Sequence, residues 1–586
     1  MTRPATIRPR RWLCVALATA FAAFGAVGGA AAQADGKALS DRLLAKAPSD
    51  ECYYGVGDAR NVPLSANPTC PSGSVRKVNQ AYVWGLAATA IPAAGTDEER
   101  KKNNKDPGSR LWFGTAANVV CLVLQSYLGI TDTIETPSYV CEGAARTATP
   151  AHTDWRPPKL YVYDTKAKAL TDLSSKAPAL NLTLGIRSAG ALGDVVFFGG
   201  PAVDNSGVYL FAFRNDASMT FLGSTKLAAY NNIRQWTTFN GGLYTGVRVR
   251  ADGTGRVLRW LGVIGQEVFN FEEVGATDSD VAYLTSLNSR LYVTTWGGLN
   301  SPGRVASGVW VSPQAGKNAP LTAANLNQWV KIWDVSRYEP DPVTAATVVG
   351  GAISAYQNKI YWGMMQVPFT GVAAHFQACP SAPQDQQNMA LALVNTTRAI
   401  PVFRSDGNAN PAKTRTELLY GSEQLPVWDC ANAMWKTVAN PAKLRPAYGQ
   451  AGFGNPFNTY TWASAVFDGK LYFGTFDWSY VASESLEPIA EALNITLPTG
   501  FDWTRLVALL GSRQPNFGAD LWRFDNALNP AKAESTDGLG NILNYGIRTM
   551  IVTAKHLYVG TANPMNLKTT EGAPKGGWEL HDLQAR

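Results

Sequence analysis

The sequence predicts an all-β chain assembled from copies of one antiparallel unit and exported from the cytoplasm. Three observations predict it. A strand–turn–strand pattern recurs along the chain, the composition is poor in charge (17 %) and rich in aromatics (11 %) and glycine, and a basic, then apolar, leader precedes an even number of cysteines.

The repeat is clearest near the C-terminus. WASAVFDGKLYFGTFD (462–477), followed by GADLWRFD (518–525), matches RTMIVTAKHLYVGTAN (548–563), followed by GGWELHDL (576–583). The match extends upstream, because the asparagines of GFGN (452–455) and GLGN (538–541) both stand 16 residues before the leucine of LYFG or LYVG. Weaker copies are RSAGALGDVVFFGG (187–200) with GVYLFAF (207–213), RQWTTFNGGLYTG (234–246) with GRVLRWLG (255–262), VAYLTSLNSRLYVTT (281–295) with SGVWVSP (307–313), and GAISAYQNKIYWG (351–363). A split first copy places AYVWGLAAT (81–89) and SRLWFGTAANV (109–119) on either side of a charged segment, 97–105.

Each copy alternates apolar and polar residues over two short runs joined by Asp-Gly, Asn-Gly or a similar pair, which is a hairpin signature. No copy buries both of its faces alone, and radial stacking protects faces and edges together. Counting the split copy, the chain resembles the seven-bladed β-propeller class over residues 75–586, with 35–74 as an N-terminal extension. The resemblance concerns architecture and implies no particular activity.

Arg3, Arg8, Arg10 and Arg11 ahead of the apolar run from Trp12 read as a signal peptide over 1–34. Small residues around Ala30, Ala32 and Ala34 suit cleavage. Its removal takes the formal charge from +7 to +3, too little for a strong polyanion binder, so nucleic acid is not an expected partner. No later stretch has the length and apolarity of a membrane span, and the expected location is periplasmic or secreted. Six cysteines remain after Cys14 is lost. They read as disulfides in an oxidising compartment, with fifteen possible connectivities; sequence proximity pairs Cys52 with Cys70 and Cys121 with Cys141, leaving Cys379 for Cys430.

In such a fold the long insertions (116–158, 365–388, 405–460 and 478–517) share one face, while the tight hairpin turns share the other with 97–105. Within 478–517, SLEPIAEALNI and DWTRLVALLG read as two short helices, with Pro488 opening the first, and Asp502 and Gly511 bounding the second.

Ungapped alignment of the innermost strands puts Arg187, Arg234 and Arg548 at one position, with Trp84 and Trp462 at the same position in two further copies. Three guanidiniums offer planar donors to a carboxylate, sulfate or phosphate, and two indoles offer stacking surfaces. The expected site is a mouth on the axis at the long-loop face, taking a small anion or acidic glycan. Inter-blade bonding is the competing role for these arginines. Asn118, Asp477 and Asn563 fall at corresponding strand ends, where they either add polar contacts to the mouth or form turns, and Asp477 is the acid to test for catalysis. A lyase or glycoside hydrolase at the same mouth, and a protein-interaction scaffold, are alternatives.

No sequence motif requires a cofactor or metal. His152, His375, His556 and His581 do not make a four-histidine centre, because His556 sits at a hairpin turn on the far face.

Overall fold

The computed structural model describes residues 37–64, 70–92, 108–143, 154–298, 305–383, 386–484, 517–569 and 575–586. The leader, the charged segment 97–105 and the helical pair expected between 485 and 511 lie outside them.

The chain is mostly β, and its strands form ladders of four antiparallel strands in succession. Ladder one joins Gln80–Ala90, Ser109–Ala117, Leu160–Asp164 and Ala169–Asp172. Ladder two is Ser188–Leu192, Val195–Pro201, Val208–Arg214 and Phe221–Leu227. Ladder three runs Tyr230–Phe239, Gly242–Val249, Gly255–Trp260 and Phe271–Thr277. Ladder four is Asp280–Leu287, Arg290–Trp296, Gly308–Val311 and Val330–Asp334. Ladder five has Val348–Tyr356, Lys359–Gln366, Val402–Ser405 and Thr416–Gly421. Ladder six has Asn458–Phe467, Lys470–Asp477, Leu521–Phe524 and Lys532–Ser535. Ladder seven takes Gly546–Val552, Leu557–Ala562 and Glu579–Ala585 from the C-terminus, and its fourth strand, Leu39–Lys46, from the N-terminus.

Turn chemistry sets this register. Asn240-Gly241 and Asp468-Gly469 carry φ of 45° and 75°, and 48° and 69°, so both residues of each pair adopt the left-handed conformation that lets a two-residue hairpin follow the strand twist. The ladders then pack face to face through aromatics. Phe197 stacks on Trp236 across ladders two and three at 5.4 Å, Trp333 meets Trp362 across four and five at 5.4 Å, and Phe113 meets Trp578 across one and seven at 4.9 Å. Each buried ring contributes roughly 2–3 kcal/mol. The first strands pack on one another in chain order, and that of ladder seven packs on that of ladder one. The approach is close enough at ladders one and two that a Cβ on Gly85 would lie 2.4 Å from the carbonyl carbon of Ser188.

Two sequence boundaries need correcting. The segment 35–74 is not wholly outside the repeat, because Leu39–Lys46 pairs with Glu579–Ala585 and completes the last ladder. The pairing is fastened by charge: Lys46 Nζ lies 2.7 Å from Glu579, Arg42 2.7 Å from Asp582, and His581 3.0 Å from Asp41 and 3.1 Å from Glu579. Burial opposes the His581 imidazolium, but the two carboxylates beside it outweigh burial and raise its pKa to about 9. The second correction concerns 405–460, which is not a single insertion: Thr416–Gly421 within it is the fourth strand of ladder five, and Gln424–Asp429 pairs with Met434–Ala439 as a separate hairpin.

Cys52–Cys70, Cys121–Cys141 and Cys379–Cys430 are disulfide-bonded, the pairing expected from proximity. The first two brace a segment docked by buried charge. Lys77 Nζ reaches Glu142 at 2.9 Å, and Arg156 bridges Glu142 at 2.9 Å and Glu51 at 3.2 Å. Among the described residues no helix is long and apolar enough to cross a membrane.

Candidate functional site

The innermost strands owe their shared special position to β-bulges. Pairing between first and second strands slips between Val83 and Gly85, Ile233 and Trp236, Val281 and Tyr283, Gly350 and Ile353, Thr461 and Ala463, and Ile547 and Thr549. A bulge leaves one or two residues outside the ladder and re-aims their side chains. The residues so released include Trp84, Arg234, Trp462 and Arg548, whereas ladders four and five release Ala282 and the pair Gly351-Ala352. Arg187 stands just before the first strand of ladder two, its N–H donating to Gly199 O at 2.8 Å. Recurrence of the bulge explains why an ungapped alignment found the position.

These five side chains line one cavity of about 370 Å³. Arg234, Arg548, Trp84 and Trp462 are each at least nine-tenths buried, at 5 %, 6 %, 7 % and 7 % exposure. The guanidiniums lie over indoles: Arg187 over Trp84 at 4.9 Å, Arg548 over Trp462 at 5.4 Å and Arg234 over Trp296 at 3.1 Å. Arg187 also donates from Nη1 to Asn232 Oδ1 at 2.6 Å, and Asn232 in turn donates to the carboxylate of Asp280. Burial raises the Asp280 pKa, with Arg234 as the strongest opposing charge. Burial and then the charge of Arg187 push Arg234 down to about 9, and burial also lowers Arg548.

The donors are incompletely used. Among the described residues, Arg187 Nε, Arg234 Nε and Nη2, and Arg548 Nε have no hydrogen-bond partner, and an unpaired buried donor costs free energy until something accepts from it. Among the described residues neither Arg234 nor Arg548 has a carboxylate within ion-pair distance. Among the described residues no Asp, Glu or His lines the cavity.

The cavity opens differently from the sequence expectation. At the long-loop end, the beginnings of the first strands are buried under an aromatic layer. Tyr82 hydrogen-bonds Tyr545 through their hydroxyls, and the Tyr82 and Tyr460 rings meet Trp462 at 5.5 and 5.1 Å. Along the strands the lining continues to Ala88, Thr238 and Ile551, and the strands become exposed at Ala90, Thr238, Val466 and Val552. Among the described residues, the lining thus runs toward exposed strand ends on the tight-turn side, while the opposite strand beginnings are buried.

Asn118, Asn563 and Asp477 do not line the cavity. Asn118 precedes the helix Val119–Leu128 with a left-handed φ of 44° and ties Asn79 and the Asp154 carbonyl at 3.0 and 2.9 Å. Asn563 donates to Asn544 at 3.0 Å and to the Lys575 carbonyl at 2.8 Å. Asp477 accepts from Asn455 Nδ2 and the Ser479 N–H, both at 2.7 Å, and burial raises its pKa to about 6. These are turn and strand-end ties. Sequence reasoning missed Asn232, Asp280, Trp296 and Tyr283, which belong to the site only through contacts between ladders; no local signal marks them.

No protein-family model and no curated protein matches the chain. Solved structures similar to it include the Dos1 propeller (8 % identity, TM-score 0.35, 86 % of this chain and 95 % of that one) and the β-propeller domain of the trilobed protease from Pyrococcus furiosus (8 %, 0.28, 78 % and 98 %). The endosialidase of phage phi92 is also similar (9 %, TM-score 0.33), over 68 % of this chain and 66 % of the endosialidase.

Proposed function

We propose that the chain is an exported, seven-bladed propeller that binds a small anion, either free or as the acidic unit of a glycan, in its axial cavity through Arg187, Arg234 and Arg548. Seven ladders whose first strands pack in a ring support the blade count, and three disulfides support an oxidising compartment. The observation that carries the binding reading is a pair of arginines, Arg234 and Arg548, more than nine-tenths buried with unpartnered N–H groups on a cavity wall. Among the described residues the lining carries arginine and tryptophan but neither carboxylate nor imidazole, which favours binding over acid–base hydrolysis, since that needs such a group within reach of the substrate.

The test is calorimetry of the mature protein against acidic and neutral sugars and small carboxylates, with Arg548→Ala as control. Acid-selective binding weakened at least tenfold in a variant with unchanged melting temperature is the expected result. Absence of binding to every anion, or unfolding of Arg548→Ala, would assign the arginines to blade packing.

A further inference from the structure

We propose that the cavity selects a compact dianion, such as inorganic sulfate, a phosphate monoester or a dicarboxylate, over a monoanion of the same size. The inference rests on the anion-binding reading and follows from charge and direction. Three guanidiniums line the cavity, and Asp280 is the carboxylate tied to them, reaching Arg187 through Asn232 on the side of ladders two and three. Among the described residues, three cations thus share the neighbourhood of one carboxylate, Asp280, whose strongest opposing charge is Arg234. Burial lowers both Arg234 and Arg548, and the charge of Arg187 lowers each further, so Arg187 repels both of the other cations lining the cavity.

Geometry points the same way. A single carboxylate accepts a planar fork from one guanidinium, in the plane of its own two oxygens. Here, among the described residues, the unpartnered donors come from three separate strand positions, just before ladder two and within ladders three and seven, on the wall of one cavity. A tetrahedral oxyanion, or two carboxylates on one short skeleton, presents acceptors to all three. Arg548 decides between the cases. A monoanion held by Arg187 and Arg234 leaves Arg548 buried and unpaired, with Trp462 as its contact, whereas a second negative charge reaches it. The remaining wall, from Trp84, Trp462, Tyr283 and Ile353, accommodates an apolar or ring-shaped remainder of the ligand.

The experiment compares succinate with monomethyl succinate, and sulfate with nitrate, by calorimetry at pH 7.5 and constant ionic strength, on the mature wild-type protein and on Arg548→Gln. Dianions bind at least tenfold more tightly than their partners to the wild type, and Arg548→Gln brings the ratio to threefold or less by weakening the dianions alone. Equal wild-type affinities within each pair would overturn the dianion inference while leaving the anion site standing. No heat from any of the four probes would overturn both. Should Arg548→Gln fail to fold, the two wild-type pairs decide the matter alone.

Discussion

Ladders two to four and ladders five, six, seven and one close their seams by different means. In the second group, backbone pairing crosses from one ladder to the next: Met365 pairs with Tyr460, Phe476 with Gly546, and Ala562 with Tyr82. In the first group, side chains make the seam. Arg187, Asn232 and Asp280 form a chain across ladders two, three and four, and at the next seam Thr294 Oγ1 and Trp296 Nε1 donate to the carbonyls of Gly351 and Gly350 at 2.9 and 2.8 Å. The long insertions and the disulfides also belong to the second group. Arginines at equivalent positions therefore do unequal work: Arg187 is part of a seam, while Arg548 lies where the backbone has already closed one, and is spare for the cavity.

The sharpest way to break this comparison is to remove the strand that closes the backbone-sealed group. Deleting residues 37–46 exposes the edge of Glu579–Ala585 and strips Lys46 from buried Glu579, at a cost of ~5 kcal/mol or more. Thermal unfolding of the truncated chain is expected to lose its single cooperative transition, and a peptide spanning 37–46 added in trans is expected to restore it. An unchanged melting curve would show that the N-terminal strand does not fasten the ring.

The two arginines give a second test, of intermediate size. Arg187→Ala removes a donor to Asn232 and frees a buried polar chain, costing ~1–3 kcal/mol. Arg548→Ala removes an unpaired buried cation and should change ligand-free stability by less than ~1 kcal/mol, in either direction. Chemical denaturation of the two variants measures the difference; equal losses would erase the distinction between seams.

The smallest expected effect concerns pH. The His581 pKa is raised from its ordinary 6.5 to about 9 by Asp41 and Glu579, so its contribution is complete below about 6.5 and is lost as pH rises through about 9. Hydrogen exchange at Leu39–Lys46 is expected to accelerate across that window while ladders two to four stay protected. His581→Gln should remove the pH dependence, whereas protection that is flat from pH 6 to 10 in the wild type would refute the assignment.

The sequence by itself determined the features written in local patterns. Asp-Gly and Asn-Gly pairs between alternating runs set the hairpins, since two-residue turns demand left-handed conformers. The spacing of six cysteines gave the disulfides. The register of Arg234, Arg548, Trp84 and Trp462 was legible because a bulge recurs at the same place in their strands, and Arg187 falls at the same position just before its own strand. What only the tertiary structure decided is what depends on contacts distant in sequence. Leu39–Lys46 finds its partner more than five hundred residues away, and Thr416–Gly421 is recognisable as a ladder strand only beside Val402–Ser405. Asn232, Asp280 and Trp296 become site residues only when neighbouring ladders meet. The burial of the strand beginnings beside Tyr82, Tyr460 and Tyr545 is set in the same way, by packing between neighbouring ladders, which no single repeat encodes.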